Sequence, residues 1–478
     1  MPEDEHPCLE VPGSEQPRIQ QEPKVEIGWN VLVALDVLGL AYFGVSYYFK
    51  CYRKGYRIDF WHFQLFMICV LPNLIMLPFA ASDLNRIVLG NDLQAVQAVL
   101  PKVFLITLVG YLSMLAGGAV WSLHVGLGIR NEAARIINTI PRLSLMMMSS
   151  RGLLIFHTSL CLVFQMIMLA IYYSQNGFGF DVRSFTFANP ALRPVALVIS
   201  NYSIMTASHC LARYIDKKER ILLWCTILLS FGLLFFGSRG NLVAIYLSIL
   251  VCFFIKLRRR ITLLRIGVLM IIITAAGFYL GSVRAGSFSP GAFFGSIYFL
   301  LFYGNNFSDL RDFAWVYQAW DHVFWMGKTY LAALLAFMPR VVSEFRDTWA
   351  AGVAMDNTVG LDPTTHPGLR PGEFGEPYFN FGILGVIAAG LILGLIARRV
   401  DIDTKGALTG RSPSMRLAFA STMLLGVVNF VAISVSSSGI LVMLGIYFFS
   451  WACLPVFRAL SGRPFAEGGR SELPGMPQ

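Results

Sequence analysis

The chain has 478 residues, of which 56% are hydrophobic and only 14% are charged. Soluble proteins carry about 25% charged residues, so this composition excludes a soluble globular fold and indicates a polytopic membrane protein. The net charge of +10 is attributed to cytoplasmic loops rather than to nucleic-acid binding, because positive residues concentrate in the cytoplasmic loops of membrane proteins.

The two ends of the chain differ from the rest in composition. Residues 1–27 are polar and rich in proline and glutamate, which predicts a disordered acidic tail, and residues 460–478 are predicted to form a second disordered tail. Residues 28–459 are predicted to form one all-α transmembrane domain. The eight cysteines show no metal-ligand spacing, so the sequence predicts neither a disulfide nor a metal site.

Apolar stretches of about 20 residues, the length that crosses a bilayer core, recur along the domain. They predict spans at 28–49, 60–80, 102–127, 152–174, 192–211, 221–237, 241–256, 262–281, 376–397, 416–436 and 439–459. Two shorter apolar stretches, 291–303 and 330–338, raise the number of spans from about 11 to 13 if they form a tilted pair.

Every second loop between these spans is basic, which predicts the orientation of the chain. The basic loops contain Lys50 to Arg57, Arg130 to Arg151, Arg213 to Arg220, Lys256 to Arg265 and Arg398 to Arg416. These loops are predicted to be cytoplasmic. The N-terminus and the long loop at about 282–375 are then external, and the C-terminus is cytoplasmic.

The long external loop contains apolar residues at helical spacing, namely Phe313, Val316, Tyr317, Trp320 and Phe324. Together with its tryptophans, this pattern predicts an interfacial helix that lies on the outer leaflet.

Three arginines lie beside glycines at predicted external span ends. Arg370 precedes the ninth span, whose first turn is predicted to contain Pro377; Arg239 follows a glycine turn, and Arg284 ends the eighth span. Outward helix starts favour anions, so these arginines predict a site for an anionic lipid headgroup. The alternative is that each arginine only reaches the lipid phosphates from the membrane boundary.

Several ionisable residues near Arg370 are candidates for acid–base chemistry. Glu373, Glu376 or His366 is the candidate general base, and a salt bridge to the arginine is the alternative for the glutamates. Asp309 and Asp312 are predicted to fix Arg311 or an amide, with a helix N-cap as the alternative. Asp309 and Arg311 are also candidates for a substrate-binding or structural role.

A second acidic pattern lies on the predicted cytoplasmic side. Asp401 and Asp403 reproduce the Asp-X-Asp motif of metal-dependent sugar transferases, but they lie among arginines in a short loop, so no metal site is predicted there.

Four segments between about 230 and 400 carry a resemblance to a known family. In this order, "FFGSRGNLVAIYLSILV", "NNFSDLRDFAWV", "MPRVV" and "GEFGEPYFNFGILGVIAAGLILG" resemble the bacterial oligosaccharide repeat-unit polymerases, the Wzy-type O-antigen and exopolysaccharide polymerases. The run with Glu376, Tyr378, Asn380 and Gly382 resembles that family's Glu-x-Tyr-x-Asn-Phe-Gly signature. The family often has a lysine soon after its Pro-Arg pair, a feature missing after Arg340.

The resemblance implies a membrane-embedded transferase of the GT-C type, without metal or other cofactor. It implies a site on the outer face of the bacterial inner membrane, with undecaprenyl-diphosphate-linked oligosaccharides as donor and acceptor. Arg239 and Arg284 would bind the donor diphosphate, and Arg340, Tyr378 and Asn380 would have substrate-binding or structural roles. A chain-length regulator and a flippase are candidate protein partners. An O-antigen ligase, a polysaccharide flippase or transporter, and a non-catalytic subunit of a synthesis complex remain the alternatives.

Overall fold

Helices make up most of the described part of the chain, which confirms the predicted all-α class. The computed structural model describes residues 28–122, 129–177, 182, 185–186, 189, 192–235, 239–269, 271–272, 275, 298–299, 301–304, 307–335, 343–362, 368–426 and 437–460. Across them it is 86% helix and has no strand.

Seventeen helices among the described residues are numbered α1 to α17 in chain order. They are α1 (Trp29–Tyr47), α2 (Phe60–Leu65), α3 (Leu77–Ala80), α4 (Arg86–Leu89), α5 (Leu93–Ser122), α6 (Ile129–Met147), α7 (Arg151–Asn176), α8 (Leu192–Lys217), α9 (Arg220–Phe235), α10 (Arg239–Leu257), α11 (Asp309–Ala319), α12 (Lys328–Leu334), α13 (Glu344–Trp349), α14 (Ala351–Thr358), α15 (Gly372–Thr409), α16 (Met415–Thr422) and α17 (Ser437–Leu460). Two π-helical stretches, Tyr48–Tyr52 and Phe66–Ile75, extend α1 and α2.

Six helical segments within the described residues are long and apolar enough to cross a membrane. They are Trp29–Tyr52, Asp83–Trp121, Arg151–Asn176, Val195–Lys217, Gly372–Thr409 and Ile440–Phe457. Shorter apolar helices at Phe60–Ile75, Arg220–Leu233 and Met415–Gly426 match three more predicted spans. The chain is therefore a multi-span membrane protein, while the predicted total of eleven or more spans stays a prediction.

The outer surface of the bundle is apolar, as contact with lipid requires. In the most apolar 18 residues of the first span, only 11% are buried. Leu38 and Leu384 are 64% and 73% exposed. Apolar side chains left exposed along helices of this length fit lipid tails rather than water.

Glycines allow the two longest helices, α5 and α15, to pack backbone against backbone. A methyl group on Gly390 would lie 2.6 Å from the carbonyl oxygen of Gly110, and one on Gly394 would overlap the carbonyl oxygen of Met114. Small residues that bring backbones together drive helix association in lipid, where apolar burial gives little gain. This pair forms the centre of the fold and carries the candidate site at one end.

The five basic loops meet at one end of the bundle, which agrees with their predicted location on one side of the membrane. Hydrogen bonds join them in pairs: Arg57 Nε to Ile261 O (3.3 Å), Arg213 Nη1 to Met148 O (2.7 Å), Met415 N to Asp216 Oδ1 (2.7 Å) and Lys405 Nζ to Asp59 Oδ2 (2.7 Å). Because α15 ends among these loops, its start at Gly372 lies at the opposite end.

The helix predicted at the outer leaflet exists, but its predicted surface position is wrong. Helix α11 ends at Ala319, and every residue from Leu310 to Tyr317 is buried, including Arg311 and Asp312. A helix buried on all sides cannot lie flat on a leaflet. It instead packs against α5 and α15, and Trp320 and Phe324 belong to the irregular segment that follows it.

Helix α15 also differs from its prediction at two positions. It begins at Gly372, so Pro377 lies inside the helix rather than in its first turn, and the backbone breaks at Gly382, where φ is 63° and ψ is −152°. The carbonyl oxygens of Phe379 and Asn380, just before the break, accept hydrogen bonds from the backbone N–H groups of Trp325 (2.9 Å) and Met326 (3.1 Å). The segment after α11 therefore caps the first half of the broken helix.

Candidate functional site

The starts of α11 and α15 meet at the end of the bundle opposite the basic loops. They approach closely because Gly372 has no side chain: a methyl group there would lie 3.0 Å from Cβ of Asp309. Gly372 also has a φ of +67°, a conformation that glycine adopts without strain. This contact brings Asp309, on one helix, beside Glu373, on the other.

A buried ion pair holds the start of α11 in place. Arg311 donates from Nε (3.1 Å) and Nη2 (2.8 Å) to Oδ1 of Asp312, and from Nη1 to the carbonyl oxygen of Tyr303 (2.6 Å). Oδ2 of Asp312 accepts from the hydroxyl of Ser308 (2.7 Å). The prediction that an aspartate of this segment fixes Arg311 is confirmed for Asp312. Because this pair is buried and internally satisfied, Arg311 holds the site together rather than meeting a substrate.

Asp309 and Glu373 form a pair of partly buried carboxyl groups that interact electrostatically. Burial, and then the charge of Asp312, raise the pKa of Asp309 to about 7, against the opposing effect of Arg370 and Arg311. A carboxyl group that titrates near neutral pH can accept a proton in one step and return it in the next, which is the requirement for a general base. Asp309 therefore meets the requirement for a general base, a role that the sequence predicts for Glu373, Glu376 or His366.

Arg370 completes the site, two residues before α15 begins. Its side chain is exposed, and its backbone N–H lies 3.4 Å from Oδ2 of Asp312. Among the described residues its guanidinium has no ion-pair partner, although its charge acts on Asp309. An exposed guanidinium beside the start of a long helix is a favourable position for a phosphate group.

Glu376 lies deeper and has a different environment. It is 1% exposed, and Oε1 accepts a hydrogen bond from the hydroxyl of Thr329 (2.7 Å). The same hydroxyl accepts from Nδ2 of Asn380 (2.8 Å), which also donates to the Glu376 carbonyl oxygen (2.9 Å). These bonds tie α12 to the first half of α15. They favour a structural role for Asn380, one of the two roles predicted for it. For Glu376 they also favour a structural role, rather than that of the general base.

Tyr378 belongs to an aromatic cluster next to the break in α15. Its ring centroid lies 5.8 Å from those of Phe313 and Tyr317 and 5.9 Å from that of Trp320. Phe313 and Trp320 are buried, and Tyr378 is partly exposed. The cluster anchors α11 along α15, so the signature tyrosine has a packing role in this fold.

Four predicted site residues have no described side chain. His366, Arg284 and Arg340 lie outside the described residues, and of Arg239 only the backbone is described, as the first residue of α10. The structure thus brings Glu373, Arg370, Asp309 and Arg311 together and separates Glu376 from them. The pairing of Asp309 with Glu373 was missed because the two are 64 positions apart in the chain.

Comparison of the chain with protein-family models, curated proteins and solved structures finds no match.

Proposed function

We propose that this protein is a membrane-embedded glycosyltransferase that polymerises oligosaccharide repeat units carried on undecaprenyl diphosphate. One observation carries the proposal: the exposed guanidinium of Arg370 lies at the start of a long helix, beside the carboxyl pair of Asp309 and Glu373. An anion-binding group next to a base is the pair of groups that sugar transfer from a diphosphate requires. The motif resemblance to Wzy-type polymerases supports the same function.

The proposed reaction transfers the growing glycan from one carrier lipid to another. A hydroxyl oxygen of the acceptor sugar bonds to the anomeric carbon of the donor glycan. The bond between that carbon and the diphosphate oxygen breaks, and the proton of the hydroxyl passes to Asp309. Arg370 and the first N–H groups of α15 stabilise the negative charge that develops on the departing undecaprenyl diphosphate.

The position of the site supports a reaction at the outer face of the bacterial inner membrane. The basic loops gather at the other end of the bundle, and basic loops stay in the cytoplasm. The carboxyl pair then faces outward, where a nucleotide sugar is absent and a lipid-linked donor is the available substrate. None of the residues assigned to the reaction needs a metal ion for the step described.

One feature favours a second candidate, a flippase or transporter of the same lipid-linked glycan. Broken helices commonly surround the substrate sites of transporters, and α15 is broken at Gly382. In this chain the backbone N–H groups of Trp325 and Met326 occupy carbonyl oxygens at the break. These hydrogen bonds satisfy oxygens that the break would otherwise leave unpaired, so the packing of the fold accounts for the break, and the transferase is the better supported function.

The test is an assay in proteoliposomes that contain the purified protein and lipid-linked repeat units from a strain that lacks it. Wild-type protein should produce a ladder of longer lipid-linked glycans on a gel. Arg370→Ala should reduce the rate about 10²- to 10³-fold, the cost of removing one charge-stabilising donor. Arg370→Lys should be nearly as slow, because lysine cannot offer two parallel hydrogen bonds to phosphate.

Arg86→Ala is the matched control, since Arg86 is an exposed arginine at the same end of the bundle but outside the cluster. It should keep the wild-type rate. Repeat units that cross the bilayer without being extended would identify a flippase and refute the polymerase. Single repeats transferred to a lipid A-core acceptor, with no ladder, would identify a ligase.

A further inference from the structure

A compact group of potential metal ligands lies at the basic end of the bundle, far from the candidate site. The thiol of Cys51, the carboxylate of Asp59 and the imidazole of His62 have ligand atoms that all lie within 4.8 Å of one another. All three side chains are buried, at 0%, 1% and 3% exposure. Cys51 belongs to the π-helical end of α1, Asp59 caps α2, and His62 lies in the first turn of α2.

The donor set matches what a zinc ion selects. Zinc prefers thiolate, imidazole and carboxylate ligands in a tetrahedral arrangement, with bonds of about 2.0–2.3 Å, which place ligand atoms roughly 3.3–3.8 Å apart. In this cluster His62 Nδ1 already lies 2.8 Å from Asp59 Oδ1, so a small outward movement of either side chain would open a position of that size.

A buried carboxylate of α15 lies next to this group and is linked to it by Lys405. Asp401 is 1% exposed, and Lys405 Nζ links its Oδ2 (2.9 Å) to Oδ2 of Asp59 (2.7 Å). The other oxygen, Oδ1, is buried with no hydrogen-bond donor among the described residues. An acceptor that is buried without a donor costs free energy, so this network holds negative charge that a cation bound by Asp59 would help to offset.

The surroundings also suit a bound metal. His62 Nε2 lies 3.2 Å from the hydroxyl of Ser46, the kind of partner that orients a ligating histidine through its second nitrogen. On binding, the Cys51 thiol loses its proton, and the His62 proton moves to Nε2, where it is donated to Ser46. The Cys51 thiolate and the Asp59 carboxylate then neutralise the dipositive ion, while Asp401 stays paired with Lys405 and Arg398.

We propose that Cys51, Asp59 and His62 bind one zinc ion, with a water molecule as the fourth ligand, and that the ion joins the end of α1 to the start of α2. This site is independent of the proposed transferase reaction. Asp401, which Lys405 links to Asp59, lies 29 positions beyond Gly372, about 44 Å at 1.5 Å per helical residue, so the ion would stabilise the basic end rather than contact a substrate.

The probe is zinc itself, added to the full-length protein in detergent and followed by removal of unbound metal. Elemental analysis should find about one zinc per chain in the wild type. Cys51→Ala and His62→Ala should lower that ratio at least tenfold. Cys161→Ala, which removes a buried cysteine from a different helix, should leave the ratio unchanged.

A second measurement needs no variant and covers the case in which Cys51→Ala does not fold. Cobalt bound to the wild type in place of zinc should give a near-ultraviolet thiolate-to-metal charge-transfer band. The proposal is overturned if the wild type retains less than a tenth of a zinc per chain, if the cobalt complex lacks that band, or if Cys51→Ala and Cys161→Ala bind zinc equally. In any of those cases the cluster is an ion-pair network centred on Lys405.

Discussion

Replacing Asp309 by asparagine should make the protein more stable and less active. In the folded protein the pKa of Asp309 is raised from 3.8 to about 7, so the folded state holds a proton that the unfolded chain has already lost. The wild type therefore loses stability as the pH rises from about 4 to about 7. Asparagine cannot ionise, so the variant should not show this loss.

The size of the effect follows from the displacement of the pKa. A rise from 3.8 to about 7 corresponds to about 4 kcal/mol at full burial, since each tenfold change in proton affinity is 1.36 kcal/mol. Asp309 is only partly buried, and solvent screening reduces such interactions, so about 1–2 kcal/mol is expected at pH 8. At pH 4, close to the unfolded-state pKa of 3.8, little of this loss has yet occurred, so the difference should be small.

The assay is thermal unfolding in detergent, followed by tryptophan fluorescence at pH 4 to 8, together with polymer formation in proteoliposomes. Asp309→Asn should unfold at a higher temperature than the wild type at pH 8 and should form polymer at least 10²-fold more slowly, the usual contribution of a general base. Wild-type activity should rise with pH through about 7, as the base loses its proton.

Asp83→Asn is the matched control, because Asp83 is an exposed carboxylate at the same end of the bundle. It should change neither stability nor activity by a measurable amount. An Asp309→Asn variant that is less stable than the wild type at pH 8 would refute the reasoning about burial. A variant with wild-type activity would remove Asp309 from the reaction and leave Glu373 as the candidate base.

Three further predictions test the fold and its orientation. Gly394→Ala should destabilise the protein by about 1–3 kcal/mol in thermal unfolding, because the added methyl group overlaps the backbone of α5. Gly44→Ala is the control, since its methyl group meets open space and should not destabilise the protein. Equal melting temperatures for the two variants would contradict the close packing of α5 and α15. Arg311→Ala should cost about 3–5 kcal/mol, since it leaves the buried Asp312 carboxylate unpaired, and a well-folded variant with unchanged melting temperature would contradict that pairing. A cysteine at Asn357 should react with an impermeant thiol reagent in intact cells, and one at Arg259 should not; the reverse labelling would overturn the orientation.

Much of the architecture is encoded locally in the sequence. A span needs about 20 apolar residues and a cytoplasmic loop needs positive charge, and both are properties of contiguous segments. For this reason the sequence predicted the all-α class, the six long apolar helices and the set of basic loops that meet at one end. It also identified Arg370, Glu373 and Asp309 as residues near a site, because ionisable groups beside a membrane span are costly and stand out.

The tertiary structure decided which of these residues meet. Glu373 and Glu376 are three positions apart, yet one faces Asp309 and the other accepts a hydrogen bond from the hydroxyl of Thr329, a distinction that depends on which helix packs against each face of α15. The amphipathic spacing of α11 fits burial as well as it fits a leaflet, because an aromatic stripe is apolar in both settings. Only the packing of α5 and α15 against α11 selects burial.

Local sequence patterns do not reveal which segments far apart in the chain come into contact. Asp59 and Asp401 are 342 positions apart, and both bond to Lys405 only because the basic loops converge. The ligand atoms of Cys51, Asp59 and His62 likewise lie within 4.8 Å of one another, although their spacing in the sequence matches no metal-binding motif. Local segments determine which stretches form apolar helices. The tertiary fold alone determines which side chains share a low-dielectric environment. That environment shifts their pKa values and so sets their chemistry.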